Sequence, residues 1–217
     1  MPTFIVRVWL PDRPGVLGAV ASRIGAVRGD VVGIDILERG AGRAIDELAV
    51  ELPDDSLLPL LVTEVGEVDG VDVEDVRPAV ELCDARLDAL DAAAVLVEAA
   101  TSSVLMNELV QWAHRSFEAD WVAAVDVEAG ALLAVHGAAP STAWLSAFVA
   151  GSRSSAVVAN GDRGPDDAAW AMLGCTSLAV VLGRRGRPFR ARERRQLAAL
   201  ARIAGARAGD LASSASS

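Results

Sequence analysis

The sequence lacks several features that define common classes of protein. Among 217 residues there are two cysteines, no tyrosine and no lysine, so all twenty basic residues are arginine. Two cysteines do not make a disulfide framework and no CxxC motif is present, which favours a reduced, cytoplasmic protein. Asp or Glu interrupts every apolar run before about 18 residues, so no membrane span is expected. The N-terminus also lacks the charged and apolar regions of a signal peptide.

Motifs of common enzymes are also missing. GxGxxG, GxxxxGK and GxSxG do not occur, which removes the usual basis for nucleotide or acyl-transfer chemistry. The two histidines, His114 and His136, do not cluster with carboxylates at metal-ligand spacing, so we predict no metal and no other cofactor. Cys175 and His136 could act as nucleophile and base, but two isolated residues are more often packing residues. We therefore predict that the protein is not an enzyme.

The charges are segregated along the chain. The net charge is −10. Residues 44–98 contain sixteen acidic residues and only two arginines. The segment from Arg184 to Arg195, which we call the arginine cluster, contains seven arginines and one glutamate. The acidic total argues against a general nucleic-acid binder. The arginine cluster can hold nucleic-acid phosphates or dock on the acidic segment of the same or another chain. Docking is favoured because that acidic partner is present.

The first eighty residues alternate between strand and helix patterns. Residues 4–10 are β-branched and aromatic, which predicts a strand, and apolar residues at helical spacing over 16–27 predict a helix. The remaining predicted elements are strands over 32–37, 48–52 and 71–76, and a helix over 54–66. The resulting βαββαβ order is the split arrangement of the ferredoxin-like class.

A distinctive loop follows the first strand. It reads Asp12-Arg13-Pro14-Gly15-Val16-Leu17, and with the βαββαβ order and the Gly29-Asp30 turn it makes residues 3 to about 78 resemble the ACT domain family. ACT domains are regulatory modules that bind amino acids, usually at an interface between two copies. The resemblance implies ligand-binding residues in the loop and at the start of the second strand: Asp12, Arg13, Gly15, Val16, Leu17, Asp30 and Val31.

The loop chemistry suits such a ligand. A free amino acid is a zwitterion, and the amides at a helix N-terminus favour its carboxylate. Gly15 has no Cβ, so a ligand can approach the backbone closely, and Asp12 or Asp30 can pair with its ammonium group. Alternatively, Asp12 caps the helix and Pro14 fixes its start. An ACT fold can also serve only for dimerisation.

The second half of the chain begins with two helical patterns. Its predicted elements are helices over 87–100 and 104–117, a hairpin over 121–136, a helix over 141–151, strands over 156–158, 170–173 and 178–182, and a helix over 190–208. This order, together with Gly186-Arg187-Pro188-Phe189 before the last helix, resembles the GAF family of sensory domains. In that family the terminal helices commonly pair in dimers, and the sheet can enclose a small-molecule pocket.

The combined expectation is an α+β protein of two domains. Residues 1–80 form a ferredoxin-like βαββαβ, ACT-like domain, and residues 85–210 form a GAF-like antiparallel sheet with flanking helices. The expected function is non-enzymatic regulation: a homodimer binds a small effector, most simply an amino acid, at the ACT interface and signals through the GAF-like domain to a protein partner. Nucleic acid and membrane are not expected partners. The alternatives are a dimeric scaffold without ligand and a nucleic-acid-binding regulator that uses the arginine cluster.

Overall fold

The computed structural model describes residues 1–79, 85–153, 167–174 and 176–215. The chain divides into two compact units, Met1–Cys83 and Asp84–Ser217. Each contains a four-stranded antiparallel sheet with helices, so the predicted α+β class is confirmed. The strand predicted at 156–158 lies outside the described residues. Within those residues, no helix has the length and apolar character needed to cross a membrane.

The N-terminal unit has the predicted βαββαβ order, and its sheet has the strand order β2-β3-β1-β4. This arrangement is ferredoxin-like and fits an ACT-like fold. The elements are β1 (Thr3–Pro11), α1 (Val16–Ala26), β2 (Asp30–Gly40), β3 (Arg43–Glu51), α2 (Leu58–Gly66) and β4 (Asp72–Pro78), with a short 3-10 helix (Asp55–Leu57) before α2.

The core of the N-terminal unit lies between one face of the sheet and the two helices. Alternate residues of β1, among them Val6 and Val8, are completely buried there because successive side chains of a strand point to opposite faces. Val20 and Ile24 of α1 pack into the same cluster. Each such aliphatic side chain contributes about 1.5–3 kcal/mol by leaving water. This packing fixes where α1 begins, and therefore where the loop before it lies.

The end of α1 is closed by backbone hydrogen bonds rather than by a side chain. Arg28 adopts a left-handed conformation with φ 61°. Its amide donates to the Gly25 carbonyl at 3.0 Å, and the Gly29 amide donates to the Ile24 carbonyl at 3.0 Å. These two bonds are the Schellman pattern that commonly ends helices. They turn the chain sharply so that β2 starts at Asp30.

The C-terminal unit is a sheet with helices on both faces. Its strand order is β6-β5-β8-β7, and one core packs this sheet on α3, α4 and α6 while a smaller core packs it on α5. The elements are α3 (Ala85–Glu98), α4 (Ser102–Ser116), β5 (Trp121–Asp126), β6 (Ala131–Gly137), α5 (Thr142–Arg153), β7 (Ala168–Met172), β8 (Leu178–Gly183) and α6 (Ala191–Ala215).

Candidate functional site

The β1–α1 loop is fixed at both of its ends. The Asp12 amide donates a hydrogen bond of 2.9 Å to the Gly42 carbonyl in the β2–β3 hairpin. Gly15 stands directly before α1 with φ 93°, a left-handed value that favours glycine. No described side chain accepts a hydrogen bond from the first amides of α1. The interpretation of Asp12 as the helix cap is therefore wrong, because Gly15 occupies that position.

A first cavity opens on one side of this loop. It has a volume of about 370 Å³ and lies between the loop, α1 and the segment after α2. Two of the charged residues in its lining pair with each other at the surface: Arg13 contacts Asp69 at 3.4 Å, with both side chains well exposed. An exposed pair of this kind contributes at most about 1 kcal/mol. The charged residues that line the first cavity are all exposed, so none of them is a buried charge that would bind a ligand strongly.

A second cavity lies on the other side of the loop, between it and the ends of β2 and β3. Its volume is about 330 Å³. Much of the wall is apolar, and the charged side chains at the wall are those of Asp12, Arg13, Arg39 and Asp46. We call this space the β3 cavity, because β3 supplies its most buried charged group, Asp46.

Asp46 lies on β3 opposite Val8 of β1 and Ile36 of β2. The residue is only 3% exposed, and its Oδ1 has no hydrogen-bond partner among the described residues. Burial raises the pKa of Asp46; Arg39 opposes this rise, and the negative charge of Asp12 adds to it. Buried polar groups are usually satisfied, so this carboxylate calls for a physical explanation.

The position of Asp46 can be predicted from the alternation of residues along β3. Asp46 precedes Leu48 and Val50 at intervals of two residues, and both of these are buried in the core. The alternation of a strand therefore places the carboxylate on the inward face. We assigned the third strand to 48–52, whereas β3 starts at Arg43. Because the predicted strand begins too late, at residue 48, it leaves the inward-facing Asp46 outside the strand.

The structure brings together five of the seven residues predicted for ligand binding. They surround the two cavities: Asp12, Arg13, Gly15 and Leu17 line the β3 cavity, and Arg13, Gly15 and Val16 line the first cavity.

The other two predicted site residues, Asp30 and Val31, lie at the opposite end of the sheet from the loop. Asp30 and Val31 pair with Glu51 and Val50 at one end of the sheet, whereas the loop joins the end at which Gly40 pairs with Arg43. Nearly the whole length of β2 separates the two groups. Within one chain, therefore, Asp30 and Val31 do not join the loop residues.

Part of the arginine cluster has a structural role. Arg184 is 3% exposed; its Nη2 lies 2.6 Å from Glu193 Oε1 and its Nη1 donates to the Phe117 carbonyl at 2.6 Å. Glu193 Oε2 accepts a hydrogen bond of 2.8 Å from the Arg190 amide, so Glu193 also caps the start of α6. Arg187 pairs with Glu118 at 2.6 Å. Arg184 and Arg187 are thus engaged within the C-terminal unit.

The two histidines are neighbours in space. The ring centroids of His114 and His136 lie 3.9 Å apart. Burial, and then the charges of His136 and Arg115, lower the pKa of His114. Among the described residues, no group of three or more His, Cys, Asp or Glu side chains could hold a metal ion. Cys175, which we considered as a nucleophile and judged more often a packing residue, lies outside those residues.

The strand order and the helix positions of the N-terminal unit define a ferredoxin-like fold, and this arrangement fits an ACT-like fold. No protein-family model and no curated protein sequence matched the chain.

Several solved structures are similar to part of the chain. The ACT domain of GTP pyrophosphokinase from Chlorobium tepidum is 16% identical, with 36% of this chain and 100% of that domain covered and a TM-score of 0.30. An uncharacterised Thermotoga maritima protein is 19% identical, with 35% and 94% covered and a TM-score of 0.29. A formyltetrahydrofolate deformylase from Pseudomonas putida is 20% identical, with 41% of this chain but only 36% of the deformylase covered and a TM-score of 0.29. The fold class of the N-terminal unit rests on its own strand order.

Proposed function

We propose that the protein is a non-enzymatic regulator whose N-terminal unit binds an amino acid. The observation that carries this proposal is the geometry at Gly15. Its left-handed backbone places the amides at the start of α1, which no described side chain caps, beside a cavity that also presents Arg39 and two carboxylates. Amides at a helix N-terminus attract a carboxylate, and carboxylates attract an ammonium group. A zwitterion satisfies both.

The second part of the proposal is a homodimer formed through β2. This strand is an edge of the sheet, and it exposes Val32, Ile34 and Ile36, with 39–49% of each residue accessible. A long apolar edge strand is a template for pairing with another chain. Antiparallel pairing of two copies of β2 about Asp35 would set Asp30 of a second copy opposite Gly40. That arrangement would bring Asp30 and Val31 of the second copy toward the loop.

The third part concerns the C-terminal unit, which we propose is GAF-like and transmits the signal to a protein partner. Its antiparallel sheet with helices on both faces supports this assignment. An amino acid that binds one dimer arrangement more tightly than another would shift the equilibrium between them. A coupling of about 1–3 kcal/mol is enough for a useful switch.

Thermal unfolding in the presence of each of the twenty L-amino acids tests the proposal. A ligand at a hundredfold excess over its dissociation constant stabilises the native state by about 2.7 kcal/mol. The test variant is Gly15→Asn, which adds a side chain beside both cavities. The matched control is Gly130→Asn in the β5–β6 hairpin, because both glycines have positive φ and open space at the Cβ position.

The expected result is stabilisation by one or a few amino acids in the wild type and in Gly130→Asn, and none in Gly15→Asn. If no amino acid stabilises the wild type, the effector function is refuted and a ligand-free dimeric scaffold becomes the better description. Salt-dependent retention of the protein on DNA or RNA, lost when exposed Arg185 and Arg195 are replaced by alanine, would instead favour the nucleic-acid alternative.

A further inference from the structure

Two adjacent carboxylates on β3, those of Asp46 and Glu47, differ in their hydrogen bonding. Glu47 accepts hydrogen bonds from the guanidinium groups of Arg7 and Arg77, both at 2.9 Å. Asp46 points to the other face, is almost fully buried, and has an Oδ1 without a hydrogen-bond partner in the described part of the chain. Burying such a group unpaired costs free energy. The fold provides partners for one acid of the pair and leaves the other oriented toward the β3 cavity.

The β3 cavity has charges of both signs in different places. Asp46 is its buried acid, while Asp12 is exposed on the loop. Arg39 is exposed near the end of β2, and the amides of α1 begin after Gly15. A buried carboxylate without a partner suits a cationic donor, whereas an exposed arginine and helix amides suit an anion. The inner part of the cavity therefore matches a cation.

The remaining walls are aliphatic. They are formed mainly by Leu10, Leu17, Ile36 and Ala44. The volume of about 330 Å³ falls at the small end of the range of about 300–1,000 Å³ usual for ligand pockets. Aliphatic walls offer no hydrogen bonds to a sugar or a base, so they favour a small ligand with a hydrocarbon side chain.

We infer that Asp46 binds the ammonium group of the ligand, and that this ligand is a primary amine with an aliphatic side chain, the class that includes the aliphatic α-amino acids. This inference rests on the proposed function, because it names the residue and the ligand class for the same cavity. An ammonium group donates up to three hydrogen bonds and would satisfy the Oδ1 atom. Asp12 adds a second negative charge near the same position.

Three kinds of probe distinguish binding of the ammonium group from binding of the carboxylate group. Each of the twenty L-amino acids tests the whole zwitterion, 3-methylbutylamine carries an ammonium group without a carboxylate, and 4-methylpentanoate carries a carboxylate without an ammonium group. Binding of each probe is measured by isothermal titration calorimetry on the full chain. The variants are Asp46→Asn and the control Asp54→Asn, which removes the same charge where asparagine caps equally well.

Asp46→Asn should weaken binding of an aliphatic amino acid at least about tenfold, the loss expected for one charge-assisted hydrogen bond. Asp54→Asn should bind as the wild type does, and any binding of 4-methylpentanoate should be the same in all three proteins. Asp46→Leu should melt at a higher temperature than the ligand-free wild type while losing amine binding, because it removes an unpaired buried polar group. A purely structural aspartate would give a lower melting temperature.

The remaining outcomes separate this inference from the proposed function. If an amino acid binds the wild type and Asp46→Asn equally, Asp46 is not the ammonium site although the effector function stands. If only 3-methylbutylamine binds, and does so through Asp46, the amine site stands and the amino-acid function fails. If neither amino acids nor the amine bind the wild type, both are overturned.

Discussion

Arg207 on α6 donates two hydrogen bonds to the carbonyl oxygen of Ala99, from Nε at 3.1 Å and from Nη2 at 2.9 Å. Ala99 directly follows the end of α3, where the last carbonyls of a helix lack partners within it. A cation at this position also interacts favourably with the helix dipole. One side chain thus joins the first and last helices of the C-terminal unit across 108 positions of sequence.

Arg207→Met should destabilise the C-terminal unit by about 1–3 kcal/mol, because it removes a charged donor and leaves a helix-end carbonyl unpaired. The control is Arg202→Met on the same helix, where the arginine is exposed. Urea unfolding followed by tryptophan fluorescence reports on this unit, which contains four of the five tryptophans. Equal unfolding midpoints for the two variants would contradict the structural role of Arg207.

Arg28 is a second position where backbone geometry determines the effect of a mutation. Its φ of 61° is unfavourable for a residue with a Cβ, and its side chain is exposed. Arg28→Gly should therefore stabilise the N-terminal unit by about 1 kcal/mol, measured by thermal unfolding. Arg28→Ala keeps the unfavourable conformation and serves as the control. Stabilisation by alanine as large as by glycine would show that charge, not φ, is the cause.

At the neighbouring Gly29, replacement of glycine should destabilise the N-terminal unit. A Cβ on Gly29 would lie 2.9 Å from Ile24 Cγ2 and 3.1 Å from the Ile24 carbonyl oxygen. These atoms belong to a buried side chain and to the backbone that closes α1, so they have little room to move. Gly29→Ala should lower the melting temperature, and an unchanged melting temperature would mean that the end of α1 shifts without cost.

Much of the N-terminal fold followed from local patterns. The helical spacing of Val16, Val20 and Ile24 identified α1, and all three are buried in the structure. The strand boundaries were less accurate: β2 extends to Gly40 and β3 begins at Arg43. Polar residues near the hairpin obscured the alternation. Pairing across the sheet, which a single segment does not reveal, extends these strands.

The site was harder to predict because it depends on contacts between distant segments. The loop residues were recognised from their motif, but Asp46 and Arg39 meet them only because the β2–β3 hairpin lies beside the loop. The assignment of a cap to Asp12 used a valid preference at the wrong residue. Gly15 ends the loop in a left-handed conformation. The capping preference of Asp12 does not predict the backbone conformation of Gly15.

On the face of the sheet opposite the core, Arg7 and Arg77 lower the pKa of Glu47 and so make the stability of the N-terminal unit depend on pH. Burial raises the pKa of Glu47, but the charges and hydrogen bonds of Arg7 and Arg77 outweigh it and hold the pKa below the ordinary value of 4.5. A lowered pKa in the folded state contributes stability that is fully present above the unfolded value. This stability is lost as the pH falls through the folded value.

The free energy of unfolding of the N-terminal unit should therefore fall as the pH drops below about 4.5, the ordinary pKa of a glutamate. Glu47→Gln should be less stable than the wild type at pH 7 and should lose less stability on acidification. Glu64→Gln, which changes a carboxylate paired with partly exposed Arg23, should retain the acid dependence. Urea titrations at several pH values measure these slopes, and an unchanged slope in Glu47→Gln would exclude Glu47 as the source.

The proposed dimer makes a prediction that does not depend on any ligand. Ile34 is 49% exposed on the edge strand β2, so Ile34→Lys would place a charge within an interface formed by two copies of β2. The wild type should have the mass of a dimer in light scattering, and Ile34→Lys that of a monomer with the same circular dichroism spectrum. Leu60→Lys changes a similarly exposed leucine on α2 and should remain dimeric. A monomeric wild type, or a dimeric Ile34→Lys, would show that β2 is not the interface. The predicted contribution of Asp30 from a second copy would then fail with it.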